Sequence, residues 1–454
     1  MKEGKRRMKI TLESSMAAFL KKFAKSGELT EKCRSVIPGG YSRKTFNYGP
    51  HGIFVEHGEG QYIYTVEGHK LLDMNNNFTV NILGHNHPNI TNAIMKAVPN
   101  GISFGNPTLY ESKLAEILIS RIESVEKLKF SCSASESCLT AVRIARGYTG
   151  KTKIAKFEGG YHGFIDDLAI SGHPSPERFP GPDHHPLPLA DSAGIPDAVT
   201  ANTVILKQND LKVCEKILRE NAHDLACVIM ELQSGAGGVV VLDQEFVEGI
   251  RALTEELGIV LIFDETITLR AGYHGLQGIY GVKPDLTVMG KMIGGGLPIG
   301  AVGGSAKIFE VLEADQVLIS GTHHGHPLAA AAGIACMETM DEESYAKLNR
   351  QSERIQREIN EWARSRNYPF MIYGKGFSFL AYAFTDRPGR EIRTHRDFWR
   401  YIDTDRTQAY SLEIAVRGFF PVFRGQFSLS LPMTDADIDA FIETTKDIVT
   451  GIMQ

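Results

Sequence analysis

Hydrophobic and polar positions along the chain fall into three successive patterns. Over residues 10–35 apolar and charged side chains recur at helical spacing until Ile37-Pro38-Gly39-Gly40 breaks the run. Residues 52–56 and 61–64 flank the turn Gly58-Glu59-Gly60 and read as a hairpin; Glu67-Gly68-His69 then leads into Lys70-Leu71-Leu72-Asp73. A helix and a small antiparallel sheet are therefore expected in the first 75 or so residues. The middle of the chain alternates. Strands are expected at 127–130, 153–157, 203–206, 227–232, 259–263, 285–289 and 300–303, and helices at 136–148, 211–221 and 246–257. Ile259-Val260-Leu261-Ile262-Phe263 is apolar throughout, which suits a strand buried on both faces. Such alternation implies parallel strands joined by right-handed crossovers. Past about Gly333 a long charged helix (345–364), short strands near 371–373, 379–383 and 426–431, and an amphipathic helix (435–453) describe a smaller α+β domain. The chain is expected to divide into an N-terminal segment, 1–75, that packs with the small domain, a large domain, 76–333, and the small domain, 334–454.

Composition narrows the classes. With 43% hydrophobic and 23% charged residues over 454 positions the chain is an ordinary globular sequence, not a disordered or fibrous one. Lys plus Arg number 49 and Asp plus Glu 54, a net charge of −5, which argues against a nucleic-acid partner. Six cysteines form no C-x-x-C pair and no disulfide framework, so reduced thiols and a cytoplasmic location are expected. No apolar run approaches the roughly 20 residues of a membrane span, and no signal peptide is expected.

Four segments could carry chemistry. Asp264 directly follows the apolar strand at 259–263, at the strand end where open α/β sheets bind ligands. Taken alone it could equally be a cap or a loop carboxylate. Lys291 ends the strand at 285–289 and precedes Gly294-Gly295-Gly296. A phosphate-loop motif would need Gly at 285 and Ser or Thr at 292; the chain has Asp285 and Met292, so that reading fails. Ser133-Ala134-Ser135 lies between a strand and a helix start, where backbone N–H groups can hold phosphate and where Ser133 or Ser135 could simply cap the helix. Tyr161 and His162 sit on the glycine-rich loop after the strand at 153–157. One ligand would use all four: a phosphorylated pyridine aldehyde, pyridoxal phosphate. Lys291 would then bond the aldehyde, Asp264 would hold the ring nitrogen protonated, 133–135 would take the phosphate and Tyr161 would stack on the ring.

Longer stretches carry a resemblance. Leu83-Gly84-His85-Asn86-His87-Pro88, Ala145-Arg146-Gly147-Tyr148-Thr149-Gly150, the 157–163 loop, 261–265, 284–291 with its glycines, and Gly321-Thr322 with His326-Pro327-Leu328 resemble the class-III aminotransferase family of fold-type I pyridoxal-phosphate enzymes. Within it the chain is similar to the branch of glutamate-1-semialdehyde aminomutase and β-phenylalanine aminotransferase. The resemblance implies an α/β fold with a mostly parallel sheet in a large domain, plus a smaller α+β domain. It implies Lys291 as the Schiff-base lysine and Asp264 as the pyridinium partner. Ser133, Ala134 and Ser135 would lie at the phosphate, and Tyr161, His162 and Glu231 near the ring. A threonine matching Thr322 reaches the neighbouring subunit's phosphate in such enzymes, which implies a homodimer with shared active sites. The activity implied is transfer of an amino group from an amino acid, a β-amino acid among the options, to a keto acid. An aminomutase-type intramolecular transfer and a racemase are the alternatives.

Several positions depart from the family pattern. Its Ser-Gly-Thr phosphate turn reads Ser133-Ala134-Ser135, which would strain Ala134 if the glycine served a positive φ. Its Glu-Pro-Val reads Glu231-Leu232-Gln233, and the stretch after Asp264-Glu265 is one residue shorter. Ile37-Pro38-Gly39-Gly40-Tyr41-Ser42-Arg43 lacks the aminomutase continuation and looks like the β-phenylalanine aminotransferase branch, which makes Arg43 a candidate carboxylate clamp; Arg424 is a second. Two histidine groups, His173 with His184-His185 and His323-His324 with His326, lack a carboxylate or cysteine at ligand spacing. They read as loop residues, and no metal is expected.

Overall fold

The computed structural model describes residues 9–46 and 49–454. The chain divides into two compact units, one comprising Met1–His87, Lys347–Glu391 and Tyr401–Gln454, the other Pro88–Ala346 and Ile392–Arg400. The divisions at 87 and 346 lie further along than the expected 75 and 333, and the segment 392–400 returns to the second unit.

The first unit opens with the helices Leu12–Lys22 and Ala24–Arg34. Thr11 caps the former in a capping box with Ser14. Phe19 and Phe23 are fully buried against Ile63, Leu71, Leu412 and Ala415. Strands β1 (Val55–Glu59), β2 (Tyr62–Thr65) and β3 (Lys70–Asp73) pair antiparallel in sequence order. The first turn is at Gly60-Gln61, two residues beyond the expected position, because β1 runs on to Glu59. After β3 comes an unusual feature: Asn76, Asn77, Phe78 and Thr79 have φ of 51°, 50°, 54° and 78°. Four consecutive non-glycine residues in the left-handed region cost on the order of 1 kcal/mol or more each. Asp73 Oδ1 accepts from the N–H groups of Asn75 and Asn76 at 2.9 and 2.8 Å, and Asn75 Oδ1 accepts from Phe78 N–H at 2.7 Å. These bonds hold the turn.

The second unit is built on a seven-stranded sheet. Its strands are β4 (Lys127–Ser131), β5 (Lys153–Phe157), β6 (Thr203–Leu206), β7 (Leu225–Met230), β8 (Val260–Asp264), β9 (Leu286–Gly290) and β10 (Gly300–Gly304), in spatial order β4-β10-β9-β8-β7-β5-β6. Neighbours from β9 to β6 pair parallel. β10 runs against both β9 and β4, the antiparallel member of an otherwise parallel sheet, with Gly300 opposite Gly290 and Ser131. All residues of β7, β8 and β9 are buried, which explains their unbroken apolar runs. Burying each of Leu261, Ile262 and Phe263 stabilises by about 1.5–3 kcal/mol relative to exposure. The helix Ala134–Thr149 closes one face through Ala141, Val142 and Ala145, which share a core with Ile229, Ile262 and Val288.

The rest of the first unit holds the helix Glu342–Ser365 from Lys347 on, then β11 (Phe370–Tyr373) and β12 (Phe379–Phe384), the helix Thr404–Val416, β13 (Phe419–Phe420), β14 (Gln426–Ser428) and the helix Asp435–Ile452. β13 extends the first sheet by pairing parallel with β3, and β11-β12-β14 form a separate antiparallel sheet.

Candidate active site

Five parallel-running strands end at one edge of the large sheet, and each delivers a residue singled out by sequence. β8 ends on Asp264, β9 is followed by Lys291, β7 by Glu231, β5 by the loop with Tyr161 and His162, and β4 by Ser133-Ala134-Ser135. This is the carboxyl edge where an open α/β sheet receives ligands.

The acid is the most enclosed of them. Asp264 is 5% exposed and His162 is 2%. The two meet at 2.8 Å between Nδ1 and Oδ2. An ionised carboxylate can only accept, so Nδ1 carries the proton. Burial lowers the His162 pKa, which keeps the ring neutral. Burial also opposes the charge of Asp264, but the bonds from His162 and from Thr266, whose N–H donates to Oδ1 at 3.0 Å, hold its carboxyl below the ordinary value. The acid is thus kept as an anion in a nearly dry setting. Nε2 of His162 is buried with no hydrogen-bond partner among the described residues. Cys138, absent from the sequence argument, donates toward Asp264 Oδ2 at 3.6 Å, and burial and that carboxylate push its thiol well above the ordinary value.

The phosphate turn is positioned by close backbone approach. Ser133 is the cap of the helix Ala134–Thr149, its hydroxyl accepting from Glu136 N–H at 3.3 Å. Ala134 opens that helix in ordinary helical geometry, so the alanine brings none of the strain a positive φ would impose. A Cβ on Gly290 would lie 2.9 Å from Cβ of Ala134, which shows how closely the residue before Lys291 approaches the turn. Gly163, at φ 96°, touches Ser135 in the same way: a Cβ there would come within 2.3 Å of Oγ. Lys291 itself has a φ of 52°, a left-handed conformation of the kind that clusters at functional sites.

Around this frame stand three supports. Glu231 accepts from the N–H groups of Tyr161 and Gly235 at 3.1 and 2.8 Å; burial and the nearby Asp264 push its carboxyl up to about 8, with Lys291 acting the other way. Lys156, inside β5 and fully buried, donates to the carbonyls of Gly160, Leu168 and Ile170 at 2.7, 2.9 and 2.6 Å; burial brings its pKa down to about 8. Glu158 takes a bidentate pair from Arg396, at 2.7 and 2.9 Å. Lys156 and Arg396 were not among the sequence candidates. A lysine within the run Lys153-Ile154-Ala155-Lys156-Phe157 was the only signal for the first, and the second comes from a distant helix. Tyr161 is 44% exposed at the rim, its ring edge-on to His173 at 5.6 Å. Thr322 is exposed on the turn before the helix Pro327–Thr339.

Arg43 and Arg424 lie in the first unit, on the left-handed turn described above. The Arg43 guanidinium lies 4.7 Å from the centre of the Phe78 ring and that of Arg424 lies 5.8 Å from it. Arg43 also donates to Asn77 Oδ1 at 2.7 Å and covers Phe46. The two candidate arginines, far apart in sequence, therefore converge on one aromatic ring.

A buried anion below the carboxylate range, an orphaned imidazole nitrogen beside it, a backbone cradle at a helix start and a lysine at the adjoining strand end fit pyridoxal phosphate and define an enzyme of the fold-type I class. The sequence profile of the family described as Aminotransferase class-III matches residues 45–418. The chain belongs to the class-III aminotransferase family, and is a pyridoxal-phosphate-dependent aminotransferase or aminomutase. It is 36% identical over 443 residues to a glutamate-1-semialdehyde 2,1-aminomutase of Bacillus licheniformis, covering 95% of this chain and 99% of the relative. The fold is similar to an omega-transaminase from Sphaerobacter thermophilus, with a TM-score of 0.89 and 32% identity over 94% of this chain and 98% of that one. It is also similar to a β-phenylalanine aminotransferase from Variovorax paradoxus, with a TM-score of 0.87 and 26% identity over 97% of both chains.

Proposed function

We propose that this chain is an intermolecular aminotransferase whose donor carries a carboxylate recognised by Arg43 and Arg424, a β-amino acid being the preferred class. The observation that carries this reading is the convergence of both guanidiniums on Phe78. Two planar, permanently charged forks on one apolar surface suit bidentate capture of a carboxylate beside a hydrophobic substituent. The segment that brings Arg43 there, Gly39-Gly40-Tyr41-Ser42-Arg43, is also where the sequence leaves the aminomutase pattern.

When bound, the cofactor supplies the electron sink for loss of a proton from the amino-bearing carbon. Asp264 would hold a proton on the ring nitrogen. Lys291 would carry a proton to and from the substrate carbon. Ser133, Ala134 and Ser135 bind the phosphate, Tyr161 and His162 border the ring, and Glu231 fixes the Tyr161 backbone. The chain acts as a homodimer in which Thr322 serves the partner's phosphate. Free, mostly buried cysteines support a reducing, cytoplasmic setting. Among the described residues no helix is long and apolar enough to cross a membrane.

The test follows the cofactor absorption band while α-, β- and ω-amino donors are added, then supplies 2-oxoglutarate. A β-amino acid should shift the band, and turnover should stop without a keto acid. Sustained conversion of glutamate-1-semialdehyde with no acceptor present would instead identify an aminomutase.

A further inference from the structure

The histidines of the 321–327 turn were set aside because no cysteine or carboxylate stood near them in sequence. In the fold both arrive, from the start of the helix Ala134–Thr149. We propose that Cys132, Glu136 and His324 form a binding site for a thiophilic divalent cation of the zinc type.

Their ligand atoms all lie within 4.8 Å of one another. Glu136 Oε2 and His324 Nε2 are 3.4 Å apart. Two light ligands about 2.05 Å from a tetrahedral zinc stand roughly 3.3 Å apart, so this pair is already at coordination spacing. The sulfur lies within 4.8 Å of both and would have to move closer to share the ion. Each ligand is held in place by the backbone. Oε2 of Glu136 accepts from Cys132 N–H at 2.7 Å, which keeps the carboxylate over the turn that carries the thiol. His324 N–H donates to Gly321 O at 3.1 Å, folding the imidazole back toward Glu136. A Cβ at Gly321 would stand 2.2 Å from Nε2, so the glycine leaves the space this ring occupies.

Charge and access agree with this assignment. A thiolate, a carboxylate and a neutral imidazole neutralise a dication. Burial and the Glu136 carboxylate push the Cys132 thiol above its ordinary value, and the charge of a bound cation would offset both. Beyond His324 opens a polar hollow of about 340 Å³ lined also by Glu111, Thr322, His323 and His326. It holds candidates for the fourth ligand, water included. The other Cys–His–carboxylate cluster among the described residues, Cys138, His162 and Asp264, is the surroundings of the cofactor acid and carries nothing new. Cys132 and Glu136 bracket Ser133-Ala134-Ser135, so an ion there would stiffen the phosphate turn from outside.

The site is tested on holoenzyme cleared of metal by a chelator and titrated with Zn²⁺ by calorimetry, which reads metal rather than turnover and so stands apart from the proposed reaction. One saturable site per chain is expected, with about one proton released per ion. Cys132→Ser and Glu136→Gln should each weaken binding by at least about tenfold, and so should His324→Ala. Cys33→Ser, at the other partly exposed cysteine, should leave it unchanged. A thiolate-to-cadmium ultraviolet band should appear with Cd²⁺ in the parent protein and vanish in Cys132→Ser, whose unfolding temperature without metal should match the parent. Absence of saturable binding, or undiminished binding in a folded Cys132→Ser variant, would overturn the proposal.

Discussion

The cofactor cradle and the arginine patch solve opposite problems. In the cradle, Asp264 and His162 are buried, bonded to each other and backed by Lys156 and the Glu158–Arg396 pair. In the patch, Arg43 and Arg424 are exposed and rest on Phe78, itself held by a left-handed turn. The cradle must fix protonation states, which calls for low dielectric and hydrogen bonds to the buried charge. Under the proposed function the patch would accept and release an anion, a task suited to exposed charged groups resting on an aromatic ring. On that reading chemistry is placed where rearrangement is costly, and selectivity where it is cheap.

The widest separation between the two regions comes from Lys291→Ala. It should abolish turnover and the absorption band of the lysine-bound cofactor while leaving the fold intact by circular dichroism. Asp264→Asn comes next: a neutral amide cannot keep the ring nitrogen protonated, and kcat should fall roughly 10²–10³-fold, measured by single-turnover spectroscopy. Arg43→Ala or Arg424→Ala should act differently, raising KM for carboxylate donors about 10–100-fold with a small change in kcat, and barely affecting an amine donor without a carboxylate. A fall in kcat for both donor types would merge the two regions and break the distinction. The smallest effect is on stability against pH. The folded protein holds the Lys156 proton less tightly than the unfolded chain does. Between about 8 and 10.5 only the unfolded state keeps that proton, so this residue's contribution makes stability rise with pH across that window and lowest below it. Comparing thermal unfolding of the parent with Lys156→Met should show that slope, of order a few degrees in Tm, lost in the variant, which is also less stable because three carbonyls lose their donor.

Much of the cradle was legible because it depends on strand ends. A run such as Val260-Leu261-Ile262-Phe263 declares a strand buried on both faces, and whatever follows it must sit at the ligand edge. The reversed direction of β10 was not legible, since Gly300-Ala301-Val302-Gly303-Gly304 has the same composition either way round. The helix Pro327–Thr339 was not assigned either. Ala329, Ala330, Ala331 and Ala332 are all buried, so it has no polar face to reveal its period. The meeting of Arg43 and Arg424 at Phe78 arises from tertiary packing within the first unit, and nothing in the spacing of either arginine foretells it. The left-handed turn beneath them begins on two asparagines, residues that tolerate that conformation better than most, but carries it on through Phe78 and Thr79, which nothing in the sequence foretells.

One pairing in the large sheet constrains how this protein can change. Gly300 faces Gly290 on one side and Ser131 on the other, so a single alignment of β10 locates the lysine and the phosphate turn together. A deletion of one residue between β9 and β10 would either be absorbed in the Gly294-Gly295-Gly296 loop or drag both groups out of step at once. On the proposed reading, new substrate preferences could arise around Phe78 while this frame tolerates drift only in the linker that leaves the alignment untouched.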